Sequence, residues 1–167
     1  MIAAPAKVLV IHINGEPVEQ GSMVPSVNPH TGRTRLKHHN VEALERWRKT
    51  VAFAARRAIG QRPHFDDHDP LVLGVVFRLP RPGYGRPGSR MDHPTAKHDQ
   101  DKLTRAVRDA LSGELYPDDG QVIGATVELP DGRVTGFADY KRYAADDELP
   151  GCTIRVARLS DLLSEAR

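Results

Sequence analysis

Residues 97–119 concentrate groups that handle cations and phosphates: Lys97, His98, Asp99, Asp101, Arg105, Asp109, Asp118 and Asp119. A helix over 100–112 must position most of them. Leu103, Ala106, Val107, Ala110 and Leu111 recur at i, i+3, i+4, i+7 and i+8, the spacing of one buried face. Gly113 is placed to stop it. Asp99 is then the N-cap and Asp101 lies in the first turn, where the helix dipole favours anions. Capping alone is a sufficient account of both residues. Asp101, Arg105 and Asp109, spaced i, i+4, i+8, line a second face, which a solvated ladder of ion pairs also explains. Asp118-Asp119 immediately precedes an apolar segment, so its carboxylates stand at a strand end. If that strand lies beside the helix, Asp99, Asp101 and Asp119 converge. Three carboxylates closing on one point repel unless a cation joins them. Hard oxygen ligands suit Mg²⁺ or Mn²⁺, which activate water and stabilise charge on a phosphoryl group.

The stretch from Lys97 to Val122 reads KHDQDKLTRAVRDALSGELYPDDGQV. It resembles the RusA family of Holliday-junction resolvases, which shows Asp-x-Asp-Asn-Leu, then a helix with Lys and Asp-Ala-Leu, then Asp-Asp-x-Gln-Val. The matching positions are Asp99, Asp101, Leu103, Asp109-Ala110-Leu111, Asp118-Asp119 and Gln121-Val122. Gly15-x-Pro17-x-x-Gln20-Gly21-Ser22 and Trp47 are similar to phage and prophage members. The resemblance implies that Asp99, Asp101 and Asp119 bind metal and that Arg105 assists catalysis. It further implies a dimeric, Mg²⁺-dependent endonuclease that nicks opposed strands of four-way junctions. Two positions depart from the pattern. The family's helix lysine falls at Arg105, which keeps the charge but cannot give up a proton. The usual Asn is Lys102. Lys141 is the candidate for a later family lysine.

The elements expected around this site follow from pattern. Strands are predicted over 6–13, 71–79, 121–129 and 152–158, the second apolar enough to be central. Residues 15–40 read as irregular with a short hairpin. A helix over 41–59 presents Val41, Leu44, Trp47, Val51, Ala54, Ala55, Ala58 and Ile59, with Asn40 as cap and Gly60 as stop. Residues 80–90 form a basic loop with Arg81, Arg86, Arg90 and Tyr84, the last able to stack on a base or sugar. Pro130-Asp131-Gly132 is a turn, with an extra hairpin near 130–143, and 159–167 make a short helix or tail. The order predicts one α/β (α+β) RusA-like domain with a mixed sheet and two main helices.

The 167 residues suffice for a core, and the lone Cys152 excludes a disulfide framework or Cys-rich zinc site. No apolar run reaches the ~20 residues of a membrane span, and a cytoplasmic location is the default. The net charge of +2 hides a segregation: residues 31–98 carry +8 and residues 99–149 carry −6. A basic half beside an acidic half suits a protein that holds a polyanion and brings metal-binding carboxylates to it, though a mixed solvated surface has the same composition. Branched DNA would then meet Arg81, Arg86, Arg90, Lys97, Lys102 and Lys141. The eight histidines show no zinc spacing. The readings are a junction endonuclease of recombination, repair or phage DNA processing, a branched-DNA-binding protein that no longer cuts, and a hydrolase of small phosphates.

Overall fold

The core is organised by LVLGVVFRL, the strand β4 (Leu71–Leu79), all nine residues of which are buried. In this computed structural model, residues 8–21, 23–38, 40–60, 64–81, 94 and 98–165 are described. β4 pairs antiparallel with β9 (Gly151–Arg158), which pairs antiparallel with β1 (Leu9–Asn14). On its other edge, β4 takes two short parallel partners, β5 (Val122–Gly124) at its start and β8 (Tyr140–Tyr143) at its end. The sheet is therefore mixed, and with three helices the chain is a mixed α/β, or α+β, domain. The irregular 15–40 stretch contains the expected hairpin, β2 (Met23–Val27) with β3 (Thr34–His38).

Helix α1 (Val41–Ile59) and helix α2 (Gln100–Leu111) cover one sheet face. Alternation along β4 sends Leu71, Leu73, Val75, Phe77 and Leu79 into that layer, against Leu44, Trp47, Val51, Leu103, Val107 and Leu111. Cys152 is also in this core, where burial pushes its thiol up to about 12. The apolar face of α1 differs slightly from the sequence pattern. Ala52 is buried, whereas Val41 and Ala58 are exposed; the core contact of α1 runs from Leu44 to Ile59. Asn40 precedes α1 but makes no side-chain cap; its Nδ2 donates to the Glu19 carbonyl at 3.0 Å. No helix among the described residues is long and apolar enough to cross a membrane.

The strand expected over 121–129 is broken. After Gly124 the chain leaves the sheet and forms a separate hairpin, β6 (Thr126–Glu128) with β7 (Val134–Gly136). It rejoins β4 only at Tyr140. The extra hairpin thus spans Thr126–Gly136, and 140–143 belongs to the main sheet rather than to the hairpin. The reason is packing. Val127 and Phe137 pack on Val72, Ala157 and Leu162 on the back face, alongside α3 (Leu159–Glu165). Gly74 makes room for this crossing: a Cβ there would lie 2.5 Å from the Ala138 carbonyl oxygen and 2.7 Å from the Phe137 Cβ.

The open part of the back face is polar. Arg142 of β8 holds Glu148 by two hydrogen bonds, at 2.5 and 2.7 Å, and buried Arg78 lies 3.4 Å from the same carboxylate. The Arg142 guanidinium, opposed only partly by burial, holds the Glu148 carboxyl down at about 2. Its folded value lies below the usual 4.5, so the pair's stabilisation is complete above that value and fades as pH falls toward 2. With both side chains about 30% exposed, solvent screening leaves a contribution of about 1 kcal/mol. Melting curves from pH 6 to 2.5 should show wild type losing stability relative to Glu148→Gln as the acid limb is entered. Parallel curves would remove the assignment.

Candidate active site

Helix α2 begins at a doubly held point. The Asp99 carboxylate accepts the Asp101 N–H at 3.0 Å, the expected N-cap. The segment before β2 straps this end: Glu19 Oε1 accepts the Asp99 N–H at 2.9 Å and lies 3.2 Å from His98 Nδ1. Gln20 N–H donates to the Lys102 carbonyl at 3.2 Å. From the sheet side, Lys141 Nζ donates to the His98 carbonyl. His98 itself has φ of 61°, a left-handed conformation uncommon without glycine.

The two acids of the Asp118-Asp119 turn are held differently. Asp118 Oδ1 accepts the Gly120 N–H at 2.7 Å, and the Asp118 N–H donates to Gln121 Oε1 at 3.2 Å. Gln121 Nε2 in turn donates to the carbonyls of Asp66 and Asp69. Asp118 and Gln121 therefore lock a 3₁₀ turn, Asp119–Gln121, as a capping box. Asp119, between them, is left to face the helix.

There it meets α2. Asp101, Thr104, Arg105, Arg108, Asp119 and Asp139 line one cleft of about 300 Å³. The four α2 residues fall at i, i+3, i+4 and i+7, one helix face. Of the sequence candidates, the fold brings Asp101, Arg105 and Asp119 together. Asp99 is not among the lining residues; its carboxylate is turned to the cap, with Lys102 Nζ 4.0 Å from Oδ2. Asp109 also departs from the expected ladder. It pairs with Arg48 of α1, which donates to Gln20 Oε1 at 3.0 Å as well. Arg81, at the end of β4, lies 5.6 Å over the Tyr143 ring. Arg86, Arg90, Lys97 and Tyr84 lie outside the described residues.

Thr104, Arg108 and Asp139 were not singled out by sequence reasoning. Thr104 and Arg108 had a signal, since they share the helix face of Asp101 and Arg105. Asp139 has none, because the expected hairpin near 130–143 takes it away from the helix. It stands just before β8, where alternation turns Asp139 and Lys141 to the helix side and Tyr140 and Arg142 to the back. Asp139 Oδ1 accepts the Val75 N–H at 3.2 Å and Gln100 Nε2 lies at 3.4 Å. Asp139 keeps solvent contact, but the protein crowding its carboxyl raises its pKa. The Val75 hydrogen bond opposes that rise, and the Asp101 charge adds to it.

Three Asp and two Arg give the cleft a formal charge of −1. All its candidate ligands are oxygens. Among the described residues no three acidic or histidine side chains form a ready-made metal cluster. A larger recess of about 470 Å³ lies on the back face, lined among others by Arg78, Arg142 and Arg155, and holds none of the motif's aspartates. Chemistry, not size, marks the site.

Fold and site together define an α+β protein with an aspartate-and-arginine cleft between a helix face and the edge strands of a mixed sheet. The profile of the family described as Endodeoxyribonuclease RusA matches residues 20–156, most of the chain. The chain belongs to that family, whose members are nucleases of four-way DNA junctions. No curated protein matches it.

Proposed function

We propose that the chain is a divalent-metal-dependent endonuclease that resolves four-way DNA junctions by paired nicks, acting as a symmetric dimer. The observation that supports this most is the meeting of Asp101 and Asp119 with Arg105 in one cleft of a RusA-family chain. The donor set fits a hard cation: aspartate carboxylates share the cleft with Thr104, whose buried hydroxyl has no hydrogen-bond partner among the described residues. Asp101 and Asp119 would hold Mg²⁺ or Mn²⁺, with Asp99 at the helix start as the third carboxylate that the family resemblance implies. Such an ion, when bound, activates water and stabilises charge on phosphoryl oxygens.

The chain's own groups supply the rest. Arg105 and Arg108 offer forked N–H donors to the scissile phosphate. Arg105 neutralises developing charge without exchanging a proton. Lys102 and Lys141 flank the start of α2, Arg81 lies just past the end of β4, and Arg86 and Arg90 follow it in the sequence. These groups, with Lys97, would bind the junction arms through phosphates. A twofold dimer would place two clefts on a roughly twofold junction.

The test is a nicking assay on a synthetic four-way junction, with linear duplex alongside, in Mg²⁺, Mn²⁺ or chelator. Paired cuts confined to the junction and lost in chelator are expected. The second reading, a branched-DNA-binding protein that does not cut, is motivated by Arg105 at the family's lysine position. It gains if the junction is bound without product in either metal and Arg105→Lys creates cleavage. Absence of both binding and cleavage overturns both readings.

A further inference from the structure

Three groups of the cleft, Thr104, Arg108 and Asp139, lie outside the motif that the family resemblance assigns, and the two that offer oxygens each leave one without a hydrogen bond among the described residues. The first is Thr104. The residue is 7% exposed, and its Oγ1 is buried without a hydrogen-bond partner among the described residues. A helical threonine ordinarily satisfies its hydroxyl on the carbonyl one turn back. Here it does not, although the residue lines the acidic cleft. A buried orphan hydroxyl on a residue that lines an acidic cleft can find a polar partner from the cleft side.

The second is Asp139. Both of its hydrogen bonds, to Val75 N–H and Gln100 Nε2, fall on Oδ1. They fix the carboxylate's orientation and leave Oδ2 without a hydrogen bond among the described residues. The chain delivers this aspartate at the exit of the inserted hairpin, where β8 resumes the strand that β5 began. It faces Asp101 and Asp119 from the sheet side. Arg108 attracts this carboxylate and Asp101 repels it, and with three aspartates against two arginines the cleft keeps a net negative charge that a cation would neutralise.

Accepting the cleft as a cation site, we propose that Asp139 is an additional carboxylate ligand for the divalent ion and that Thr104 Oγ1 hydrogen-bonds its hydration shell. Mg²⁺ retains several waters when protein-bound. A hydroxyl can accept from such a water and donate onward, so it suits the outer layer rather than direct coordination. Asp139 and Thr104 thus complete, from β8 and the second turn of α2, a site that Asp101 and Asp119 open.

The experiment is Mn²⁺ binding to the intact protein, read from the free-ion electron paramagnetic resonance signal, with Mg²⁺ competition. Wild type is compared with Asp101→Asn, Asp139→Asn, Thr104→Val and Thr104→Ser. Asparagine keeps an acceptor for the Val75 N–H, and valine keeps the threonine's shape. Asp139→Asn should weaken Mn²⁺ at least about tenfold and Thr104→Val roughly tenfold, with Thr104→Ser restoring affinity. Melting temperatures in chelator should stay at or above wild type, because one repelling charge or one orphan hydroxyl has gone. If Asp101→Asn loses Mn²⁺ while Asp139→Asn and Thr104→Val bind it as wild type does, this proposal falls and the cation reading stands. If wild type binds no Mn²⁺, both fall. If Asp139→Asn melts well below wild type in chelator with unchanged affinity, the aspartate serves the fold and the proposal is overturned.

Discussion

Replacing Asp101 with Asn is expected to reduce junction nicking by at least about 100-fold, the scale at which one electrostatic contributor to such a transition state counts. Junction binding should stay within about threefold of wild type. Asparagine preserves the side chain's size, and the Asp99 cap engages the backbone N–H of residue 101 rather than its carboxylate. The helix loses one favourable charge in its first turn, worth about 0.3–1 kcal/mol, too little to unfold a domain whose α2 buries Leu103, Ala106, Val107 and Leu111 completely. A loss of cleavage with retained binding therefore reports on chemistry. The contrast is Asp109→Asn, on the same helix but paired with Arg48 across the α1–α2 contact; it should leave cleavage within a few-fold of wild type. Undiminished nicking by Asp101→Asn, measured under single-turnover conditions, would remove Asp101 from the site.

Gly74→Ala is expected to cost stability and activity together. The added methyl would press on the Ala138 carbonyl and the Phe137 side chain, and neither is the free end of a flexible chain. Overpacking of this kind costs about 1–3 kcal/mol, or a fall in melting temperature of roughly 2–12 °C for a domain of this size. The displaced segment leads directly into Asp139 and β8, so the sheet side of the cleft shifts with it. The lesion should thus appear both in thermal denaturation and as reduced cleavage below the melting range. A melting temperature equal to wild type would mean that the hairpin does not cross Gly74 as described.

The local elements were legible in the sequence because local physics dictates them. The apolar periods of 41–59 and 100–112 define α1 and α2, since each can bury only one stripe. The apolar run at 71–79, broken only by Arg78, defines the central strand, since a strand covered on both faces tolerates it. The Asp-x-Asp and Asp-Asp-x-Gln motifs identified the family, and they also contain their own local supports. Asp99 caps the helix and Asp118 caps the turn, so one aspartate of each pair is engaged by the backbone and the other faces the cleft.

What required the tertiary structure was every relation between distant segments. Val122–Gly124 and Tyr140–Tyr143 lie on one edge of β4, with a hairpin folded out between them. No period in the sequence encodes that interruption, because the cue is the packing of Val127 and Phe137 on a back-face cluster supplied by other strands. The same relation brings Asp139 into the cleft. Arg48 and Gln20 draw Asp109 away from the acidic face by a contact between helices, which spacing along one helix cannot reveal. The residue types that bind cations and phosphates were thus set by sequence. Which of them share a cleft was set by sheet order and by the crossing at Gly74, because convergence depends on where the chain returns rather than on what it contains.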